Sequence, residues 1–166
     1  MSLRLIIDPV DFAHHGGTHH GKIALSEMGR LHDYLASHSG ELQYAVTGAV
    51  DKDGRNVLKI SVWGEITLRC QRCLGELGHV VSVSTVLLLA QNEKELALLD
   101  EDESVDCILA RRDMDVLVLI EDEIILSLPT SPRHKEAECS LATREGAAGV
   151  AREKPLAGLA ELRKLH

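Results

Sequence analysis

The chain has 166 residues, 45% of them apolar, which suits one core with tails rather than two full domains. Its formal charge of −8 provides no basic footprint for phosphate binding, and Phe12, Tyr34, Tyr44 and Trp63, its only aromatics, are too few to stack single-stranded nucleic acid. No run approaches the roughly 18–20 apolar residues that span a bilayer, and Asp8 interrupts the amino terminus after only three consecutive apolar residues, so neither a membrane span nor a signal peptide is expected.

Charge is unevenly spread. Residues 1–92 carry eight Lys/Arg against nine Asp/Glu, residues 93–139 five against fourteen, and residues 140–166 five against three. The acidic middle reads either as a solvated face or as a surface for a basic partner. Four cysteines without an export signal imply a reducing, cytoplasmic setting, where thiols bind metal or stay reduced.

In chain order, Leu3–Ile7 reads as a short strand closed by Asp8-Pro9. His14, His15, His19 and His20 surround Gly16-Gly17 in a polar stretch that reads as a loop, with a metal site as the sharper alternative. Ser26 can cap a helix reaching about Ser37, with Met28, Leu31 and Leu35 on one side. Leu42, Tyr44 and Val46 then alternate with polar or small residues, and Asp51–Arg55 is a hairpin turn. Leu58, Ile60, Val62, Ile66, Leu68 and Cys70 share one parity, which predicts a long half-buried strand bulged at Gly64. A returning strand runs over residues 79–90. Residues 91–104 read as a helical turn or loop, and residues 105–109 as a short strand in which Cys107 is a small core residue. Asp113 or Asp115 can cap a helix to Leu128, with Val116, Leu117, Ile120, Ile124 and Leu128 on one face and Pro129 as its stop. Glu121 and Glu123 fall at the margins of that face and Asp122 opposite. Residues 155–165 form a short amphipathic helix on a tether.

Chemistry concentrates in two places. Cys70-Gln71-Arg72-Cys73 sits in the turn between two antiparallel strands, a spacing that lets two thiolates share one zinc ion. Arg69 and Arg72 favour the thiolate form. Structural thiols and a redox dithiol are the rivals, the latter lacking a helix that starts at the first cysteine. His134 and Cys139 supply the third and fourth candidate ligands, and His79 reads as a packed histidine. Glu121 and Glu123 are two apart on a helix and diverge, no Gly-rich phosphate cradle precedes a helix, and Ser127 has no base nearby in sequence. Nothing here argues for an enzyme.

Taken together, Leu5–Pro9, Leu68–Leu74 with its Cys-x-Arg-Cys, Ile120–Pro129 with its Glu-Asp-Glu block, Pro132-Arg133-His134 before Cys139, and Pro155-Leu156-Ala157 before Leu159 and Leu162 resemble the YceD family. That resemblance implies a small cytoplasmic, non-enzymatic factor in ribosome biogenesis, needed for normal accumulation of the 23S ribosomal RNA of the large subunit. An adaptor or chaperone role toward a basic ribosomal protein or assembly factor, through Glu121, Asp122 and Glu123 together with residues 100–106, is the favoured mechanism. Direct precursor-RNA contact through Arg69 and Arg72, or a thiol- or metal-dependent processing activity, are the alternatives. Some relatives end in several cysteines after the Pro segment, like half of a zinc ribbon, whereas this chain keeps only His134 and Cys139 there. The expected architecture is α+β over residues 1–139. It comprises an antiparallel meander of about four strands, one main helix, a smaller N-terminal helix, and a tail at 140–166 with a tethered helix. Cys70, Cys73, His134 and Cys139 are the expected zinc ligands.

Overall fold

Apolar residues at every second position give the sheet one dry face, and the two helices that cover it bury their own apolar stripes there. The computed structural model describes residues 5–135 and 138–139 of the chain. Its elements are β1 (Ile6–Ile7), α1 (Pro9–His14), β2 (Thr18–Ala24), two 3₁₀ turns (Leu25–Glu27 and Gly29–Leu31), β3 (Leu35–Ser37), β4 (Glu41–Val50), β5 (Asn56–Arg69), β6 (Glu76–Ala90), α2 (Glu93–Leu99), β7 (Asp106–Leu109), β8 (Met114–Asp115) and α3 (Val116–Ser127).

Six strands form the main sheet in the order β2-β4-β5-β6-β7, with β3 joining β5 beyond the end of β4. All neighbours are antiparallel except β6 and β7. β1 and β8 make a separate two-stranded ladder. The α+β class and the antiparallel meander therefore hold, but the sheet is wider than the four strands expected.

Its extra width comes from residues expected to be helix and loop. The stretch from Ser26 to Ser37 forms two 3₁₀ turns and a strand instead of a helix. Met28, Leu31 and Leu35 are buried as their spacing suggested, yet burial comes from the turns folding over the core, and Leu35 pairs with Leu68. The histidine segment is not a loop either. Asp8 caps α1 by accepting from the N–H groups of Val10 and Asp11, with Pro9 in the first turn, and His14 ends that helix. His19 and His20 lie in β2, where successive side chains point to opposite faces, so the four imidazoles do not converge. His19 instead shares a hydrogen bond with the Tyr44 hydroxyl at 2.9 Å.

Two glycines show where the chain cannot carry a side chain. A Cβ at Gly48 would stand 2.5 Å from the Phe12 carbonyl oxygen and 2.7 Å from Ala13 Cα, because α1 lies directly on β4. Gly64 has φ +153°, and a Cβ there would meet Leu42 Cδ2 at 2.6 Å. The β5–β6 ladder runs through Gly64 without a shift while the β4–β5 ladder ends there, so the expected bulge does not form.

α3 closes the core. Asp115 caps it by accepting from the Leu117 N–H at 3.0 Å, and Val116, Ile120 and Ile124 are fully enclosed. The acidic block does not lie as its wheel suggested. Glu121 and Glu123 are 4% and 9% exposed, and Asp122 pairs with Arg30. Glu121 Oε1 accepts from the backbone N–H of Arg30 at 3.1 Å, replacing the hydrogen bond that the 3₁₀ turn leaves unmade. Glu121→Ala should therefore cost about 1–3 kcal/mol, because it strands that N–H under the helix. Urea denaturation against wild type measures it, and an unchanged midpoint would refute the role.

Candidate metal centre

The 6-residue connection from β5 to β6 is tight enough to fold back on its own backbone. Leu74 takes φ 61°, its N–H reaches the Cys70 carbonyl at 2.9 Å, and the Cys70 N–H reaches the Gly75 carbonyl at 2.9 Å. This knuckle holds Cys70 and Cys73 on the same side. Pro129-Thr130-Ser131-Pro132 follows α3 and cannot continue it. The segment crosses to the knuckle and is fastened there by the Gln71 N–H donating to the Pro132 carbonyl at 2.8 Å. That strap delivers His134 and Cys139.

All four expected ligands come together. Their donor atoms lie within 4.8 Å of one another, with Cys70 and Cys139 buried and the other two half-buried. The tetrahedral edge around zinc is about 3.8 Å for thiolates, so the group has the size and the donor chemistry of a structural zinc site. His134 Nδ1 stands 3.3 Å from Cys73 Sγ, while its Nε2 donates to the Glu76 carbonyl at 2.7 Å. That second bond fixes ring orientation and tautomer, as outer partners of metal-ligating histidines do.

Local dipoles suit thiolate. The backbone N–H of Cys73 does most to lower the Cys70 thiol, and those of His134 and Arg72 add to it. Together they outweigh burial and bring it down to about 5. The Glu76 carbonyl, with the Cys70 and Cys73 sulfurs, holds His134 above the ordinary imidazole range. Arg72 Nε donates to Cys139 Sγ at 3.1 Å, so this guanidinium turns toward the cluster.

The other singled-out residues scatter. Arg69 is exposed on the wall of a 910 Å³ cleft that also includes Tyr34, His32 and His38. His79 is half-buried in β6 opposite Ile66. Cys107 is not the enclosed core residue its parity suggested: it is half-buried and donates to Asp100 Oδ1 at 2.9 Å. That bond, burial, and the charges of Asp100 and Asp106 push its thiol up to about 11. The expected tail helix at 155–165 lies outside the described residues.

The sequence reading missed the strap. Its signal was Pro129-x-x-Pro132 immediately before His134, which forces an extended path just where the third ligand must cross to the knuckle.

A family model described as "Large ribosomal RNA subunit accumulation protein YceD" matches residues 58–165, a stretch that contains the knuckle, α3, the strap and all four cluster residues. The chain is also 25% identical over 170 residues to the large ribosomal RNA subunit accumulation protein YceD of Haemophilus influenzae, covering 99% of this chain and 98% of that protein. No solved structure matches.

Proposed function

The chain belongs to the YceD family, and from that premise we propose that it is a cytoplasmic, non-enzymatic factor required for accumulation of 23S ribosomal RNA. It works as an adaptor or chaperone for a basic assembly partner, and a zinc ion held by Cys70, Cys73, His134 and Cys139 has a structural role. The observation that carries this reading is the run of exposed acids between α2 and β7. Asp100, Glu101, Asp102 and Glu103, with Asp106 at the start of β7, are exposed, and although Arg55 and Lys59 stand on one side of them the acids outnumber these cations. Such a surface attracts a basic protein and repels RNA. The metal group fits the same reading: four protein donors complete a tetrahedron, whereas catalytic zinc keeps one position open for water or substrate.

Direct contact with precursor RNA is the second reading, favoured by the cleft where Arg69 stands beside Tyr34, His32 and His38. The charge of −8 and the engagement of Arg72 with Cys139 weigh against it.

The test is the ratio of large- to small-subunit ribosomal RNA after depletion, read on sucrose gradients. A selective fall in the large-subunit RNA, restored by the intact gene, is the expected result, and an unchanged ratio overturns the reading. A salt-resistant complex with RNA alone would favour the second reading over the adaptor.

A further inference from the structure

β6 is 15 residues long, but β7 covers only Leu87–Ala90 of its outer edge. Among the described residues no strand pairs with the remainder of that edge, from Gly78 to Val86, whose other side is held by β5. An uncovered edge presents a row of backbone donors and acceptors, and proteins commonly protect such edges with Lys, Pro or a bulge. This stretch, Gly-His-Val-Val-Ser-Val-Ser-Thr-Val, has none of them. Val80 and Val86 are 67% and 50% exposed on its outer face.

Beneath the edge, between β6, β7 and α3, lies a cleft of 490 Å³. Val83, Thr85 and Leu126 form part of its apolar wall, and Asp100, Asp106 and Glu123 supply its charge. No Lys or Arg among the described residues lines it. Glu123 is the telling residue. It is 9% exposed, it opens onto this cleft, and it makes no hydrogen bond or ion pair among the described residues. Glu123, Asp100 and Asp106 share this one cleft, so a cation entering it is attracted by three acidic side chains at once. The same negative field acts on Cys107 in the cleft wall.

We propose that the open edge of β6 and the acidic cleft beneath it dock an extended, lysine- or arginine-bearing segment of a partner protein. The segment adds to the sheet as a strand, its backbone pairing with Gly78–Val86 and one basic side chain reaching Glu123 between Asp100 and Asp106. Strand addition supplies affinity through the main chain, and the pocket for alternate side chains supplies selectivity. The inference rests on the adaptor reading above and names the surface and the partner chemistry.

The test uses the full chain and a fluorescein-labelled twelve-residue peptide of alternating lysine and valine, followed by fluorescence anisotropy. Binding is expected, with a tenfold or greater loss in Glu123→Gln and in Asp106→Asn. A similar loss is expected for the same peptide N-methylated at alternate amides, which keeps every charge but cannot pair as a strand. Asp106 is exposed, so its variant preserves the test if Glu123→Gln misfolds. No binding, equal binding by both variants, or equal binding of the N-methylated peptide overturns the proposal. So does a dimer by sedimentation that the peptide cannot dissociate, which would assign the edge to a second copy. Peptide binding that meets these criteria with an unchanged ribosomal RNA ratio after depletion would leave the edge a site and sink the adaptor reading. A fallen ratio with no peptide binding would do the reverse.

Discussion

If the proposed zinc is held here, Cys70→Ser is expected to abolish stoichiometric zinc binding and to lower Tm by roughly 10 °C, because the ion would fasten the strap after α3 to the β5–β6 knuckle. Cys70 is the fully enclosed member of the group, and the backbone N–H groups of Cys73, His134 and Arg72 all converge on its sulfur. A serine oxygen is smaller and stays protonated, so it neither reaches nor charges the position that the other three donors require. The six-stranded sheet retains its own core of Leu58, Ile60 and Val62, so the variant should keep the far-ultraviolet signature of the sheet while the strap detaches. Metal content by mass spectrometry, near one zinc per chain in wild type and near none in the variant, is the primary readout. Chelator added to wild type should reproduce the same fall in Tm. Cys107→Ser is the control: its thiol bonds Asp100 outside the cluster, so zinc content should not change. A Cys70→Ser protein that holds one zinc per chain with an unaltered Tm would remove the structural-metal reading.

The second large effect is expected from a single methyl group at Gly48. Alanine there would place Cβ 2.5 Å from the Phe12 carbonyl oxygen and 2.7 Å from Ala13 Cα. These neighbours are backbone atoms of α1, which cannot rotate aside as a flexible side chain would. Either α1 lifts off β4 or the strand bows, and overpacking of this kind costs about 1–3 kcal/mol or more. Lifting α1 also exposes Ala13, now 1% accessible. The urea midpoint should fall with an unchanged slope. Gly78→Ala is the matched comparison, since nothing lies within 4 Å of its Cβ position, and it should stay within about 0.5 kcal/mol of wild type. Equal midpoints for the two variants would contradict the close packing of α1 on β4.

Local pattern was sufficient wherever one element buries one face. The alternation of Leu58, Ile60, Val62, Ile66 and Leu68 specified β5 and its dry side, because a strand turns successive side chains to opposite faces. The 3.6-residue spacing of Val116, Ile120 and Ile124 did the same for α3, with Asp115 as its cap. Residue type marked Cys70, Cys73, His134 and Cys139 as candidate ligands, since thiolates and imidazole are donors zinc takes, and the four do come together.

Other assignments depended on contacts distant in sequence. Met28, Leu31 and Leu35 have helical spacing, yet the Arg30 backbone satisfies its N–H on Glu121, 91 positions away, and Leu35 finds Leu68 in β5. The segment therefore folds as turns and a strand. The same exchange turned Glu121 inward, although on a wheel it stands at the margin of the apolar face. Asp8-Pro9 read as the end of a strand, but an aspartate followed by proline also caps and opens a helix, and only the room above Gly48 decided for α1.

By itself, the sequence determined the α+β class, the dry faces of β5 and α3, and the chemical type of the four candidate donors, because periodicity and side-chain chemistry are properties of the residues themselves. Only the tertiary structure decided that the strap, about sixty positions beyond the knuckle in sequence, brings those four side chains to within 4.8 Å of one another. It also decided that Glu123 joins Asp100 and Asp106 in one cleft beside an open strand edge, because distance and burial belong to residues that the chain brings together only on folding.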